Sequence, residues 1–162
     1  MAMARKRRRN NRTLLAMAAF ASLSQPAPAA IIGTCTIVVG PSGTMKANTA
    51  INILGSKQAG GQSASATITA SSLLCSLLNL LDCYSVSAPA PAAFTSAPSG
   101  GGTNVTFSTV YRLDGTGADT NGSVPQRVAN GTHPIEVDLT ATKSSGVYPA
   151  GSYQGTVTIR CE

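Results

Sequence analysis

Tryptophan is absent from this chain of 162 residues, histidine occurs once, and the aromatics are limited to three Phe and four Tyr. Charged side chains make up only 11%. Each scarcity removes a class of function. A single histidine, His133, leaves little for imidazole acid–base chemistry or a histidine-built metal centre. It stands beside Pro134 at a turn into a strand, where a lone histidine reads as a surface residue. No serine lies in a Gly-x-Ser-x-Gly nucleophile elbow. Glu136 and Asp138 form the one close carboxylate pair on a strand, yet the aromatic-lined cleft that sugar hydrolysis needs has no residues to build it. They read as a solvated strand face. The oxygen-rich loop Asp114–Gly122 lacks the EF-hand spacing and its terminal glutamate. No apolar run approaches the roughly 20 residues that cross a bilayer as a helix. Nothing assembles a nucleophile, a base or a metal site. The expectation is a protein that is not an enzyme, with no cofactor.

The formal charge of +6 is concentrated at one end. Arg5, Lys6, Arg7, Arg8, Arg9 and Arg12 hold half of the basic residues. From Ala30 onward, basic and acidic residues are equal in number, so no bulk field draws that part toward nucleic acid. The basic cluster leads into the apolar stretch Thr13–Ser24 and then Gln25-Pro-Ala-Pro-Ala29. That order is a secretory signal peptide, residues 1–29, with cleavage at Ala27-Pro28-Ala29. The mature chain, 30–162, is expected to be one domain, secreted to the periplasm or cell surface, without a membrane span. An uncleaved N-terminal anchor is the alternative.

Four cysteines follow the cleavage site: Cys35, Cys75, Cys83 and Cys161. An even number in an exported chain points to two disulfides, and four cysteines allow three connectivities. Spacing does not choose among them, but strand parity bears on it. Cys35 shares a face with Ile37 and Val39, and Cys161 with Val157 and Ile159. Both then point inward, which favours Cys35–Cys161 and leaves Cys75–Cys83 by elimination; Cys35–Cys75 is the rival.

Frequent Gly and Pro divide 30–162 into short segments with period-two alternation. Strands are expected at 34–39, 50–54, 64–70, 84–88, 103–113, 134–141 and 151–161, with a shorter one near Phe94. Asp114-Gly115, Asn121-Gly122 and Asn130-Gly131 are hairpin-type turns. Seven to nine short strands with polar turns make an all-β fold, an antiparallel sandwich or a related barrel. One segment breaks the pattern. In 72–83, Leu73, Leu74, Leu77, Leu78, Leu80 and Leu81 follow helical spacing between Cys75 and Cys83. They either cap an open edge of the core or form an apolar patch for a partner.

Tyr148-Pro-Ala-Gly-Ser-Tyr-Gln-Gly-Thr-Val-Thr-Ile159 resembles the closing strand of bacterial spore-coat-U and archaic chaperone–usher pilin domains. Gly60-Gly61 ahead of Ala66-Thr-Ile-Thr69, and Tyr84-Ser-Val-Ser87, resemble their middle strands. The resemblance implies an immunoglobulin-like, pilin-like sandwich in a fimbrium or coat at the cell surface. It implies as partners other copies or related subunits and a periplasmic chaperone, with strand addition between subunits. With cleavage after Ala29, only Ala30–Thr34 precede Cys35, shorter than a donor strand. The chain also ends on Arg-Cys-Glu rather than near an aromatic residue. These departures favour a closed, disulfide-locked sandwich over a polymerising one. The functional expectation is a structural surface subunit; the alternative is a self-contained binding module using its loops or the Leu73–Leu81 patch.

Overall fold

The computed structural model describes residues 33–73 and 84–162. The signal peptide, the cleavage site and the Cys75–Cys83 pairing lie outside the described residues. Of the six patch leucines, only Leu73 lies among them.

Among the described residues there are ten strands: β1 (Gly33–Val39), β2 (Lys46–Ala47), β3 (Ile53–Gly55), β4 (Ala64–Ser72), β5 (Tyr84–Ser87), β6 (Val105–Leu113), β7 (Thr120–Asn121), β8 (Gln126–Val128), β9 (Gly131–Lys143) and β10 (Arg160–Cys161). All pairings are antiparallel and form two sheets. The all-β expectation is met.

The long strand β9 organises the larger sheet. Its alternation of β-branched and polar residues suits a pleated, half-buried strand. One edge of β9 pairs first with β4, from Gly131↔Ala70 to Val137↔Ala64, and then with β3, from Thr140↔Gly55 to Thr142↔Ile53. The other edge pairs with β6 from Ile135↔Leu113 to Lys143↔Val105. β1 extends the sheet beyond β4, β2 beyond β3, and β7 beyond β6. The smaller sheet runs β10-β5-β8.

Period two puts Ile135, Val137, Leu139 and Ala141 of β9 on the buried face. Ala66, Ile68 and Ala70 of β4 join them, opposite Tyr84 and Val86 of β5 and Val128 of β8. Cys35, Ile37, Val157, Ile159 and Cys161 pack against the margin of this core. The Cys35–Cys161 disulfide forms as parity indicates, with Cα atoms 6.2 Å apart. It ties the first strand to the last across 126 residues.

A second cluster holds Leu54, Ala141 and Tyr148, with Phe94, Val105, Phe107 and Tyr153 around them. Four of the chain's seven aromatics gather here. Phe94 meets Phe107 edge-on at 4.7 Å and Tyr153 at 5.2 Å, and Tyr148 meets Tyr153 edge-on at 5.4 Å. Lys143 lies over the Tyr148 ring, 5.4 Å from its centroid, and donates to the Gly100 and Thr103 carbonyls.

Several local expectations are corrected. Asp114-Gly115 makes a tight turn with both φ values positive, 56° and 62°, but not the expected two-residue hairpin: β6 and β7 pair only from Tyr111↔Thr120, leaving 112–119 between them. Residues 50–54 do not form one strand: β3 begins only at Ile53, and Ile51 sits in the preceding turn with φ of 54°. Near Phe94 a single bridge, Ser96↔Gln154, replaces a strand. The terminal strand is the largest departure. Alternate burial persists from Tyr153 to Cys161, but the ladder is confined to Arg160–Cys161.

Candidate functional site

The carboxylates and the histidine do not converge. His133 lies within β9, not in a turn. Its Nδ1 is 3.1 Å from Asp114 and its Nε2 is 3.0 Å from the Ala129 carbonyl, so both ring nitrogens are engaged. Glu136 stays exposed, 3.7 Å from Arg112. Asp138, expected beside it in solvent, is buried to 6%. The turn after β3 folds over it, and it accepts from Ser56 Oγ at 2.6 Å and Ser63 Oγ at 2.7 Å. Burial of a carboxylate requires such partners. In the oxygen-rich loop 114–122, Asp119 is held by Lys57 and by Arg112 at 2.8 Å. Those contacts lower its carboxyl below the usual range, the Lys57 hydrogen bond contributing most. Among the described residues no three His, Cys, Asp or Glu side chains are grouped to hold a metal ion.

What converges instead is a groove between two strand edges. β1 pairs only with β4, so its other edge has no strand beside it among the described residues. Its side chains alternate between exposed and half-buried, with Cys35 and Ile37 half-buried, and at its end Val39 is 81% exposed. The terminal segment faces it. Thr and Val keep that segment extended. Gln154 is held by Ser96 at one end, and Arg160, Cys161 and Glu162 are held by β5 and Ser85 at the other. Between these anchors, Gly155–Ile159 carry no ladder pairing among the described residues, although Val157 and Ile159 turn their side chains inward.

The disulfide clips the two backbones together near Cys35, and away from it they enclose a groove of about 1240 Å³. That exceeds the roughly 300–1,000 Å³ of small-molecule pockets. Ala66, Val137 and Leu139 contribute to the groove, as do Ile37 and Val157 near its disulfide end. Its far end is formed by Ile51, Tyr148 and Tyr153. Among the described residues, Lys46 is the only charged one lining it. The groove thus offers apolar side chains flanked by backbone with no ladder partner among the described residues, the pattern that pairs with an added strand.

Tyr148 is 4% exposed, and among the described residues its hydroxyl has no hydrogen-bond partner. Burial, with Tyr153 beside it, pushes the phenol up to about 12. Leu73, at the end of β4, is 67% exposed.

Strand parity identified Ile37, Val39, Val157 and Ile159 of the groove's side chains, but as parts of a closed sheet. The groove itself went unread, because alternation reports which side chains face inward and not whether a backbone edge has a neighbour. Searches against family models, curated proteins and solved structures found nothing that matches this chain.

Proposed function

We propose that this protein is a secreted structural subunit of a surface assembly, with an unfinished immunoglobulin-like, pilin-like sandwich that accepts an extended strand from a second copy. The observation that carries the reading is the apolar groove bordered by β1 and by Gly155–Ile159, both lacking ladder partners on that side among the described residues. A strand seated there would hydrogen-bond to either border and set alternate apolar side chains against Ile37, Val157 and Leu139. No catalytic step is assigned to it.

The reading carries a condition. A strand running from beside Tyr153 to beside Ile159 needs about seven residues, roughly 23 Å of extended chain. The donor is the segment ahead of Gly33, and Ala30–Ile32 alone are too short. Processing must therefore leave more of that segment than cleavage after Ala29 would, and the intact mass of assembled protein reads this directly.

The test is an SDS gel of the exported protein, unheated and heated. The expected result is a ladder of SDS-resistant species that collapses to monomer on heating. A monomer in both lanes, unfolding cooperatively on its own, overturns the reading. A different chain in the heat-released material overturns self-assembly.

The exposure of Leu73 favours a second reading, a binding module whose partner meets the Leu73–Leu81 segment. It predicts a stable monomer whose partner capture is lost in Leu73→Asp.

A further inference from the structure

His133 faces two acceptors, and only one protonation state of its ring can donate to both. Its Nδ1 stands 3.2 and 3.1 Å from the two carboxylate oxygens of Asp114, and its Nε2 stands 3.0 Å from the Ala129 carbonyl. An ionised carboxylate and a carbonyl only accept. A neutral imidazole carries one N–H, so one of its nitrogens would turn a lone pair toward an oxygen. The imidazolium form satisfies both contacts, and its charge strengthens the one to Asp114.

The two partners belong to different parts of the fold. His133 has the parity of Ile135 and Val137, so its ring lies on the core side of β9. Ala129 follows β8, where the chain leaves the smaller sheet for β9. Asp114 follows β6 of the larger sheet and opens the turn toward β7. The ring thus joins that turn to the crossover between the sheets. The same residues line a cavity of about 480 Å³, with Thr116, Gly117 and Ala118 as one wall. That wall is lightly held. The Asp114 N–H donates to the Pro134 carbonyl at 2.8 Å, and the Thr116 N–H reaches the Leu113 carbonyl only at 3.3 Å. Gly115 and Gly117 have φ of 62° and 82°, with open space where a side chain would stand.

Among the described residues, the charged groups around the ring are Asp114 and Arg127 of β8, which lines the same cavity. The β4 residues opposite His133, Thr67, Ile68 and Thr69, carry no charge. Glu136 and Asp138 of its own strand have the outward parity, and Arg112 of β6 is drawn outward to Asp119 and Glu136. Tyr84 and Tyr111 direct their hydroxyls to backbone carbonyls elsewhere.

We propose that His133 is a pH-sensitive latch on this cavity: as imidazolium it holds the Asp114–Ala118 turn against β9 and the crossover, and on losing a proton it lets the turn go. The Ala129 carbonyl is fixed backbone, whereas the Asp114 carboxylate is half exposed and can turn to water. The neutral ring therefore keeps its proton on Nε2 and releases Asp114. The latch does not depend on the strand-acceptor reading.

The chain has one histidine, so its ring signals are unambiguous by nuclear magnetic resonance. The readouts are the imidazole nitrogen shifts and the backbone order parameters of Gly115 and Gly117 at pH 5 and pH 8, on either side of the ordinary imidazole pKa of about 6.5. Wild type should show both nitrogens protonated at pH 5 and Nε2 alone at pH 8, with the order parameters falling from about 0.85 to below about 0.6. Asp114→Asn keeps a residue that tolerates φ of 56°, and its amide can accept from a protonated Nδ1 or donate to a bare one. It should hold both glycines ordered at both pH values. His133→Gln does not titrate and should abolish the pH response. A wild-type turn equally ordered at both pH values overturns the proposal, as does a neutral ring protonated on Nδ1. An Asp114→Asn turn that loosens as wild type does, or a His133→Gln protein that keeps the response, assigns the change to another group and also overturns it.

Discussion

Two tyrosines separate the two halves of this molecule. Tyr111 is fully buried where the sheets meet, and its hydroxyl reaches the Val86 carbonyl at 2.9 Å and the Val124 carbonyl at 2.7 Å. Tyr148 is nearly as buried but its hydroxyl reaches nothing among the described residues, and it stands at the open end of the groove. Around Tyr111, Ile68, Ile135 and Val86 have no exposed surface. Around the groove, Val39 and Ile51 keep much of theirs. One half is a finished core with satisfied polar groups. The other retains apolar exposure, backbone strain and an unpartnered hydroxyl, the pattern of a surface completed by binding.

The largest test of this contrast is the clip that joins the halves. Cys35→Ala/Cys161→Ala removes a crosslink spanning 126 residues. In the chain-entropy model a loop of that size contributes about 4–5 kcal/mol. Urea denaturation should show a loss of that order, and β1 should be the first region to gain amide exchange, because its other connection to the fold is β4. Equal stability of the two forms would mean that β1 is held well enough without the clip.

Next come paired truncations across the divide. Ile68→Ala, in the finished core, should cost about 2–5 kcal/mol by removing fully buried methylenes. Val39→Ala, at the exposed end of β1, should change monomer stability by under about 0.5 kcal/mol. Its effect belongs to assembly instead. A large monomer destabilisation from Val39→Ala would erase the distinction between the two halves.

The tyrosines then provide opposite signs from one chemical change. Tyr111→Phe removes the donor that the Val86 and Val124 carbonyls share, the first of them buried, and should destabilise by about 1–3 kcal/mol. Tyr148→Phe removes a buried hydroxyl that bonds to nothing among the described residues, and should stabilise the monomer by roughly 1 kcal/mol, a few degrees in Tm. If both variants melt lower, the hydroxyl of Tyr148 has a partner in solution and the groove end is less unfinished than it looks.

The finished half was largely legible from sequence, and the open half was not. Cys35 and Cys161 declared their pairing because parity along a strand fixes the face of each side chain. Ile135, Val137 and Leu139 followed from the same rule. Parity is silent, however, on what lies beside a strand. Thr156, Val157 and Thr158 read as a closing strand whether or not a neighbour completes them. Ile51 falls inside the expected strand 50–54, because the side-chain bonds of Asn48 that bend the turn are not visible in a hydrophobic pattern. Asp138 was placed in solvent for a related reason. Its outward parity was right, and the turn carrying Ser56, folded back over it, was the missing information.

That folded-back turn supplies the smallest test, on the outer face of the sheet, behind the groove. Lys57 on the turn and Arg112 on β6 both bind Asp119, so the outer face is laced shut by charge while the inner one stays open. The two cations lower the Asp119 carboxyl below its usual range. The unfolded chain therefore takes up its proton first as pH falls. The stabilisation is fully present above the unfolded pKa of about 3.9 and is lost as pH drops through the lower folded value. Comparison of Tm for wild type and Asp119→Asn across pH 6 to 2 should show a gap that holds down to about pH 4 and closes below it. Added salt should narrow the gap at pH 6, since Asp119 is partly exposed and such pairs are screened. Assembly should not respond, because none of these groups lines the groove. A loss of heat-dissociable oligomer in Asp119→Asn at pH 6 would show that the outer face and the groove are coupled, and the two faces could no longer be treated as independent.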